Sequence, residues 1–539
     1  MLNSGMAIRW ITVLAIVLGI FFRGYHLDRK TFWGDEVLGT VRMLGFTEAE
    51  IVEAGPRVSR AADIQAYFHL GGNDHDGGRP LSATIQSLAQ EDPQHSPLYY
   101  LLVRIWVAAA GTSVLALRTL PAIFGIIAIG TMYWLARELF GNSRVAWMAA
   151  ALYALSPFAV LYAQEAREYT LWAVITLLSS ALLLRAARTG ERRWWIGYGA
   201  SCALGLYVMP LAALVIAAQG VFLIVSGDLR RSTVIVHYLF ANAAALILLL
   251  PWLASISPAT GLRGFGPMTS VKTPAMGICL QFYRSVRSST FDLGLMAGAP
   301  NAFRLAGTAA GVALMALIAY ACWVLYRHFP GTVRTFVFAL LIVPALPLLG
   351  HDLVLGGALV GQSRYLQSVY LGIVLLLASL FHTKIADAKA DSFKGAAWTS
   401  AFLLTLIGGV ISCAISAQAY TWYNKAYERS PAVAAIIDHA DRPLVVGDRG
   451  DDRGTSRVLE LSYYLDPRVA MRVNLYCDVC RVPDPPPIDV LADAAQFRNV
   501  FILGALTRDV PAGNYTVRQV GVRIVPKTSG PLDMFQAVY

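Results

Sequence analysis

Charged residues are scarce in this sequence. Only 14% of the 539 residues are Asp, Glu, Lys or Arg, whereas soluble domains usually carry about 25%. This shortage argues against a soluble protein of ordinary composition. Cysteine is also rare, with six residues, which argues against a small scaffold held together by dense disulfide bonds. Hydrophobic residues instead make up 56% of the chain, and the mean hydropathy is +0.53.

Acidic residues are outnumbered by basic ones, which leaves a formal net charge of +10. In a soluble protein this excess would suggest binding to nucleic acid, but no basic stripe with interleaved aromatic residues is present. The Arg and Lys residues cluster between apolar runs, a pattern typical of loops on the cytoplasmic side of a membrane. The charge therefore predicts contact with membrane lipid and no nucleic-acid partner.

Apolar runs recur along most of the chain, and runs of roughly 18 or more residues predict membrane-spanning helices. The first, at residues 6–22, is not followed by a small-x-small cleavage site, so it predicts a retained helix rather than a cleaved signal peptide. Ten further runs lie at 118–140, 145–163, 169–187, 194–207, 208–226, 232–251, 302–326, 333–350, 365–382 and 397–418. The sequence thus predicts a polytopic α-helical membrane protein with about eleven transmembrane helices.

One apolar segment does not fit this count. Residues 97–110 are apolar but short, and Arg104 lies in their middle. A crossing here would move the basic clusters near Arg137 and Arg185 out of the cytoplasm, against the usual distribution of positive charge. We therefore predict that this segment is re-entrant or lies along the outer interface.

The basic connections also predict the sidedness of the chain. A cytoplasmic placement is self-consistent for the loops at 137–144, 185–193, 230–231, 327–334 and 384–394. The polar stretch 23–95 and the C-terminal tail then face outwards. We predict a transmembrane domain at 1–423, in which 23–95 is a long outer loop with interfacial helices. Short apolar stretches between turns predict a soluble α/β domain at 424–539.

Four polar elements converge on this outer side. They are Trp33-Gly34-Asp35-Glu36 and the segments His95 to Tyr100, Gln164 to Tyr169, and Gln362 to Leu366. Each alone has a structural explanation: a neutralised helix start, a helix begun by proline, an ion-paired cap, or interfacial anchors. Their convergence on one face, beside a long loop that can cover them, favours a functional site.

These residue types suit one class of reaction. A carboxylate can take a proton from an acceptor hydroxyl, and arginines can stabilise a departing phosphate through bidentate hydrogen bonds. A phosphate attached to a lipid would lie at this depth of the membrane. Sugar transfer from such a donor needs no covalent intermediate when the configuration inverts. The residues therefore favour an inverting glycosyltransferase that uses a polyprenyl-phosphate-linked sugar and a cell-envelope acceptor.

The order of the motifs resembles a known family. The chain runs through WGDE, HSPLYYLLVRIW, GTSVLALRTLP, SPFAVLYAQEAREYTLW and SRYLQSVYLGIVLLLA. Over roughly residues 6–385 it resembles the integral-membrane glycosyltransferases of the GT-C superfamily. It looks most like the bacterial branch related to protein O-mannosyltransferases and to lipid A aminoarabinose or galacturonic acid transferases. The stretch 37–94 is longer than in many of those relatives, so the acceptor stays open among a glycolipid, a glycan and a protein.

The resemblance implies roles for individual residues. Asp35 matches the acidic residue that acts as the base or orients the acceptor, and Glu36 completes the catalytic Asp-Glu pair. The residues implied to bind the donor phosphate are Arg167, Arg364 and Tyr365. The residues implied to bind substrate are His95, Glu165 and Tyr169.

Two further motifs carry weaker signals. Asn73-Asp74-His75-Asp76 contains an Asp-x-Asp spacing, which in soluble nucleotide-sugar transferases holds a divalent cation. The inferred donor carries one phosphate and needs no metal, so we predict no required cofactor and no metal ligands. Cys477 and Cys480 form a Cys-x-x-Cys pair in the outer tail, where an oxidising compartment favours a short-loop disulfide.

Two alternative functions stay open. One is a protein O-glycosyltransferase or an oligosaccharyltransferase, which differs in the group transferred or in the acceptor. The other is a lipid or sugar transporter or flippase. Transporters usually place ionisable residues near the bilayer midplane and often contain inverted repeats. Here the acidic candidates lie at helix ends on one face and no repeat is visible, which favours the enzyme.

Overall fold

The computed structural model consists mainly of helices. It describes residues 4–69, 78–226, 232–257, 273–295, 299–387, 393–425, 430–447, 454–473, 497–503 and 534–537. The Asp-x-Asp motif at 73–76 and the Cys-x-x-Cys pair at 477–480 lie outside the described residues. The predictions for those two motifs therefore stay predictions.

The first hundred residues contain one long helix and several short ones. The long helix, Ser4–Gly24, includes the apolar run expected at 6–22. The polar stretch after it forms short helices, while its place as an outer loop with interfacial helices stays a prediction. These are Gly34–Met43, Glu48–Ala54, Ala61–Gln65 and Leu81–Glu91, with 3₁₀ turns at Gly55–Arg57 and Ala66–Phe68.

Seven helical stretches within the described residues are long and apolar enough to cross a membrane. They are Val114–Phe140, Tyr169–Thr189, Ser232–Ser255, Asn301–His328, Gly331–Val354, Ser363–Asp387 and Phe393–Lys425. The bent pair Ser143–Ala154 and Pro157–Ala163 would be an eighth crossing if it forms one broken span. The other predicted runs form the helices Ser4–Gly24, Arg192–Val208 and Ala212–Val225. The structure agrees with a multi-pass membrane protein, while the number of eleven crossings stays a prediction.

Three of these stretches contain a break. The stretch Gly331–Val354 consists of Gly331–Ile342 and Ala345–Val354. The next two combine Gln367–Asp387 with a 3₁₀ turn at Ser363–Leu366, and Phe393–Gln418 with a turn at Tyr423–Lys425. The amphipathic helix Ala275–Ser288 lies between Ser232–Ser255 and Asn301–His328 in the chain.

The core of the molecule surrounds two helices. In the most apolar segment of Tyr169–Thr189, 89% of the residues are buried inside the protein. In the most apolar segment of Ser363–Asp387, the buried share is 72%. Both helices are apolar around most of their circumference, which is typical of helices enclosed by others. In Ser232–Ser255 the buried share is only 22%, so this helix presents leucines and isoleucines outwards, as a lipid-facing helix does. The functional loops therefore start from the ends of the most enclosed helices.

A buried arginine stabilises the 59° bend between Ser143–Ala154 and Pro157–Ala163. The Arg23 guanidinium donates to the carbonyl oxygens of Ala154 at 2.6 Å and Tyr153 at 3.3 Å, which are exposed by the end of the first helix. Ser156 caps the second helix by accepting from the amide of Ala159. The bend turns the chain towards the polar segment Gln164 to Tyr169.

The odd apolar segment forms the helix Leu98–Ala110. Its 13 residues extend about 20 Å at 1.5 Å per residue, less than the roughly 30 Å of a hydrocarbon core. The buried Arg104 donates to the carbonyl oxygen of Met43 and to Thr84 Oγ1. The helix is thus attached to the polar stretch that precedes it, while its re-entrant or interfacial placement stays a prediction.

The described part of the tail contains a parallel sheet that contacts the polar stretch 23–95. Its strands are β1 Pro443–Gly447, β2 Ala470–Val473, β3 Asn499–Leu503 and β4 Met534–Ala537, and they are accompanied by helices Ser430–Asp438 and Gly454–Tyr464. The strands lie in the order β2-β1-β3-β4. The Tyr464 hydroxyl accepts a hydrogen bond from the amide of Phe32 at 2.6 Å. That contact places the tail against the segment that leads into Asp35, while a separate soluble α/β domain stays a prediction.

We expect Arg23→Met to destabilise the fold. The change removes charge-assisted hydrogen bonds to main-chain carbonyls, and such bonds contribute about 1.5–3 kcal/mol each. The thermal unfolding midpoint in detergent micelles should fall by several degrees. Arg9→Met, at an exposed position of the same helix, should leave the midpoint unchanged. An unaltered midpoint for Arg23→Met would contradict the capping role of Arg23.

Candidate active site

Asp35 lies in the first turn of the helix Gly34–Met43. The extended conformation of Trp33 begins this helix, and the positive end of the helix dipole favours a carboxylate there. The Asp35 side chain is 32% exposed, and its Oδ2 accepts a hydrogen bond from Arg364 Nη1 at 3.0 Å. Asp35 is therefore a carboxylate that solvent can reach and that is already paired with a cation.

Glu36 has the opposite environment, since its side chain is fully buried. Arg118 donates to both of its oxygens, from Nε at 2.8 Å and from Nη2 at 2.6 Å. The amide of Ala166 donates to Oε1 at 2.8 Å, and Lys425 Nζ lies 3.0 Å from Oε2. Burial acts to raise the pKa of Glu36, but Arg118 and Lys425 outweigh it and lower the pKa. Glu36 is an ionised carboxylate that connects separate segments.

Arg118 anchors the chain that precedes Asp35. In addition to Glu36, it donates to the carbonyl oxygens of Leu27 and Lys30 at 2.8 Å and of Thr31 at 2.9 Å. A guanidinium has five donors in a fixed planar arrangement, and three of these contacts are to backbone carbonyls within the short stretch 27–31. The helix Val114–Phe140, which carries Arg118, therefore fixes the position of the segment that leads into Asp35.

Glu165 shares a lysine with Glu36. Lys425 Nζ lies 3.4 Å from Glu165 Oε1, and the side-chain amide of Asn424 donates to the same oxygen. Both Glu165 and Lys425 are fully buried. Burial raises the pKa of Glu165, Lys425 partly opposes this increase, and the Glu36 carboxylate adds to it.

Arg167 connects the Asp35 segment with the start of the His95 element. It donates from Nη1 to the carbonyl oxygen of Asp35, and its Nη2 lies next to His95 Nε2, both at 3.0 Å. His95 Nδ1 is 3.0 Å from Glu168 Oε1, and Arg167 Nε is 3.4 Å from Glu168 Oε2. Burial acts to raise the pKa of Glu168, but Arg167 and His95 outweigh it, so that the pKa is about 2.

Aromatic rings surround the Arg364 guanidinium. Its carbon lies 5.9 Å from the centre of the Trp33 ring and 5.6 Å from that of Tyr365, within the range of cation–π attraction. Among the described residues, Arg364 Nε is buried and has no hydrogen-bond partner. Tyr169 is buried and lies edge-on to Tyr162. Arg364 thus has one donor paired with Asp35 and another that is free for a ligand.

The structure brings all eight predicted site residues to one region, but it changes what several of them can contact. Glu36 and Glu165, predicted to be catalytic and substrate-binding, are fully buried and ion-paired. His95 and Tyr169, predicted to bind substrate, are also buried. The ion-paired Glu36 and Glu165 are therefore suited to positioning the partly exposed Asp35, whereas substrate binding by His95 and Tyr169 stays a prediction.

Three charged residues of this region were not among the predicted site residues. Arg118 was counted as the start of an apolar run, although a charge in such a run is itself a signal of function or pairing. Glu168 was part of a quoted motif but received no role. Lys425 lies just beyond the boundary predicted at 423, so the chain after the last helix belongs to this region.

Within the described part of the chain, no group of three or more His, Cys, Asp or Glu residues could hold a metal ion. The acidic residues of the site are instead matched by Arg and Lys. The expectation that no metal or other cofactor is required stays a prediction.

Comparisons with known proteins bear on this arrangement. The family model described as dolichyl-phosphate-mannose-protein mannosyltransferase matches residues 94–254. The undecaprenyl phosphate-alpha-4-amino-4-deoxy-L-arabinose arabinosyl transferase of Pectobacterium atrosepticum is 29% identical over 129 residues, which are 23% of this chain and 23% of that protein. The match thus spans under a quarter of the curated relative's length.

Solved structures extend the likeness to most of the chain. ArnT from Cupriavidus metallidurans, bound to undecaprenyl phosphate, is similar with a TM-score of 0.50 and 12% identity over 86% of each chain. The archaeal oligosaccharyltransferase AglB from Archaeoglobus fulgidus, in complex with an inhibitory peptide and a dolichol-phosphate, has a TM-score of 0.50 and 12% identity. That match covers 88% of this chain and 65% of AglB.

The fold is similar to those of ArnT and AglB. The partial sequence matches are to a mannosyltransferase family and to an arabinosyl transferase. The resemblance drawn from the order of the sequence motifs is therefore confirmed.

We expect Glu168→Gln to destabilise the protein in a pH-dependent manner. The folded pKa of about 2 lies below the ordinary value of 4.5, so ionised Glu168 contributes stability above pH 4.5 that is lost as the pH falls towards 2. The unfolding midpoint of the variant should lie below that of wild type at about pH 7, and the gap should narrow towards about pH 3.

The exposed Glu53 supplies the control, since Glu53→Gln should match wild type throughout this range. A gap between Glu168→Gln and wild type that is constant with pH would contradict the ion-paired state of Glu168.

Proposed function

We propose that this protein is an inverting glycosyltransferase that moves a sugar from a polyprenyl-phosphate donor to a cell-envelope acceptor. Asp35 acts as the base, and Arg167 and Arg364 hold the donor phosphate. The reaction takes place at the outer face of a bacterial inner membrane, on the periplasmic side. The basic loops that the sequence predicts to be cytoplasmic lie at the opposite ends of the helices. Their positive charge supports this orientation.

One observation carries the proposal: a partly exposed carboxylate lies directly beside two arginines at the ends of apolar helices. Arg364 Nη1 is 3.0 Å from Asp35 Oδ2, and Arg167 Nη1 is 3.0 Å from the main-chain oxygen of the same residue. A base and an anion-binding pair are the two components that this transfer requires. The similarity to ArnT bound to undecaprenyl phosphate supports a lipid-linked phosphate as the anion.

The proposed reaction exchanges one bond at the sugar for another. The acceptor hydroxyl attacks the anomeric carbon from the side opposite the phosphate, while Asp35 takes the hydroxyl proton. A new carbon–oxygen bond to the acceptor forms as the bond to the phosphate oxygen breaks. The bond electrons leave with the lipid phosphate, and Arg167 and Arg364 stabilise the charge it gains. Since the attack occurs once, the configuration inverts.

The pairing of Asp35 with Arg364 links donor binding to the base. A donor phosphate would compete with the Asp35 carboxylate for the guanidinium, because both are anions that accept from the same fork of donors. Once the phosphate holds Arg364, the carboxylate is released towards the acceptor hydroxyl. The base would thus be available when the donor is in place.

The acceptor class follows less directly from the site. The arabinosyl transferase from Pectobacterium atrosepticum favours a monosaccharide donor, and the protein mannosyltransferase family favours a protein hydroxyl as acceptor. We propose a monosaccharide transferred to an envelope glycolipid, because the likeness to ArnT covers 86% of both chains, whereas the likeness to the oligosaccharyltransferase covers 65% of AglB. A labelled glycoprotein as the product would instead favour the protein O-glycosyltransferase.

We expect Asp35→Asn to lower the rate of sugar transfer by about 10²–10⁴-fold, because an amide cannot take the proton from the acceptor hydroxyl. The measurement is transfer from a panel of radiolabelled polyprenyl-phospho-sugars into envelope extract by the purified protein in liposomes. Asp28→Asn, an exposed residue of the same outer loop, is the matched control and should retain full activity.

The outcomes of this panel separate the alternatives. If Asp35→Asn transfers sugar at the wild-type rate, Asp35 is not the base. No transfer by wild type from any donor, with acceptor extract supplied, would contradict the enzyme and favour a transporter.

We expect Arg364→Gln to lower kcat by about 10²–10³-fold, because a preorganised donor to the developing charge is lost. Arg364→Lys keeps the charge but loses the planar fork, so its activity should lie between those of wild type and Arg364→Gln. Both kcat and the donor KM are measured with the active donor of the panel. The exposed Arg304 provides the control Arg304→Gln. Equal activity of wild type and Arg364→Gln would contradict phosphate binding by Arg364.

A further inference from the structure

Lys425 is a fully buried ammonium group just after the last membrane-spanning helix, Phe393–Gln418. Its Nζ lies 3.0 Å from Glu36 Oε2 and 3.4 Å from Glu165 Oε1. It also donates to the carbonyl oxygen of Thr31 at 3.4 Å. An ammonium without access to water is stable only when carboxylates or carbonyls replace its hydration.

The ion pairs of this cluster match two carboxylates with two cations. Glu36 and Glu165 supply the carboxylates, and Arg118 contacts Glu36. Among the described residues, Lys425 is the cation that touches both carboxylates, while the neighbouring Lys30 ammonium donates to the side chain of Gln164 at 3.0 Å. Without Lys425, the Glu165 carboxylate would have no cation in contact in a dry interior, which is strongly destabilising.

The residues of this cluster are the sequence neighbours of the reacting groups. Glu36 follows Asp35 directly, and the amide of Ala166 that binds Glu36 belongs to the residue before Arg167. The Lys425 ammonium also lies 5.7 Å from the centre of the Trp33 ring, whose other cationic neighbour is Arg364 at 5.9 Å. A change of charge at Lys425 is therefore transmitted to the base and to both arginines.

We propose that Lys425 is a positioning residue: by neutralising Glu36 and Glu165 together, it holds Asp35 and Arg167 in their reacting arrangement. The segment after the last membrane helix is thereby part of the catalytic unit. This inference rests on the proposed glycosyl transfer, since it concerns the geometry of the same site. Lys425 does not touch the substrate.

The first test is Lys425→Met, which keeps the length of the side chain and removes the charge. We expect kcat to fall at least about tenfold, because the geometry of the base is altered, while the donor KM changes less than about twofold. Lys425→Arg, which restores the cation, should recover most of the lost rate. Lys394→Met, at an exposed position of the same helical stretch, is the control.

The second test uses the charge balance. In Lys425→Met/Glu165→Gln the buried cluster again holds one cation and one carboxylate, so the double variant should recover kcat to within about threefold of wild type. A purely steric role for Lys425 would leave the double variant as slow as Lys425→Met. The double variant also decides the matter when Lys425→Met alone does not fold.

The pH profile supplies a third readout. Glu165 faces Lys425, Glu36, Arg364 and Asp35. Loss of the lysine cation raises the Glu165 pKa further, because within the described part of the chain Lys425 is the cation that forms an ion pair with it. The ratio of the Lys425→Met rate to the wild-type rate should therefore rise as the pH falls and Glu165 takes up a proton. The double variant should show a ratio that is constant with pH.

Two results would overturn the inference. One is a Lys425→Met variant with the wild-type rate at every pH. The other is a Lys425→Met/Glu165→Gln variant that either does not fold or folds without recovering activity. Failure of the proposed function looks different, since wild type itself would then transfer no sugar.

Discussion

A carboxylate shielded from water is stable only where cations and hydrogen-bond donors replace its hydration. Glu36 meets this requirement with donors from distant parts of the chain: Arg118 from a membrane helix, Ala166 from the loop between two others, and Lys425 from beyond the last. Because these donors must converge, the ends of the helices that carry them are fixed relative to each other. The neighbouring Asp35 is fixed with them.

Adjacent acidic residues thereby take different tasks. Successive residues on a helix point about 100° apart, so Asp35 and Glu36 cannot face the same environment. Asp35 is 32% exposed, whereas Glu36 is fully buried. The same division recurs in the second polar element, where Glu165 and Glu168 are buried counter-ions and Arg167 between them reaches the Asp35 segment. Buried pairing thus fixes the arrangement around the partly exposed Asp35 carboxylate.

The sequence predicted the parts of this arrangement that depend on local composition. Apolar runs predicted the helices, and motifs at their outer ends predicted that Asp35, Arg167 and Arg364 would lie together. It did not predict which carboxylates would be buried, because burial depends on neighbours such as Arg118 and Lys425 that lie far away in the chain. From hydropathy alone, Arg118 is a charge at the start of an apolar run. Its partner Glu36 lies far away in the sequence and is identified only in the folded structure. The number of membrane crossings is similarly undecided by composition, since short helices can end inside the protein.

The account depends most directly on a lipid phosphate that binds Arg364 in competition with Asp35. The decisive measurement is the affinity of polyprenyl monophosphate, without sugar, for purified wild type, Asp35→Asn and Arg364→Gln in the same detergent. The account predicts that Asp35→Asn binds at least as tightly as wild type, because the competing carboxylate is gone, and that Arg364→Gln binds at least about tenfold more weakly. Weaker binding by Asp35→Asn, or wild-type affinity in Arg364→Gln, would contradict the assignment of base and phosphate site.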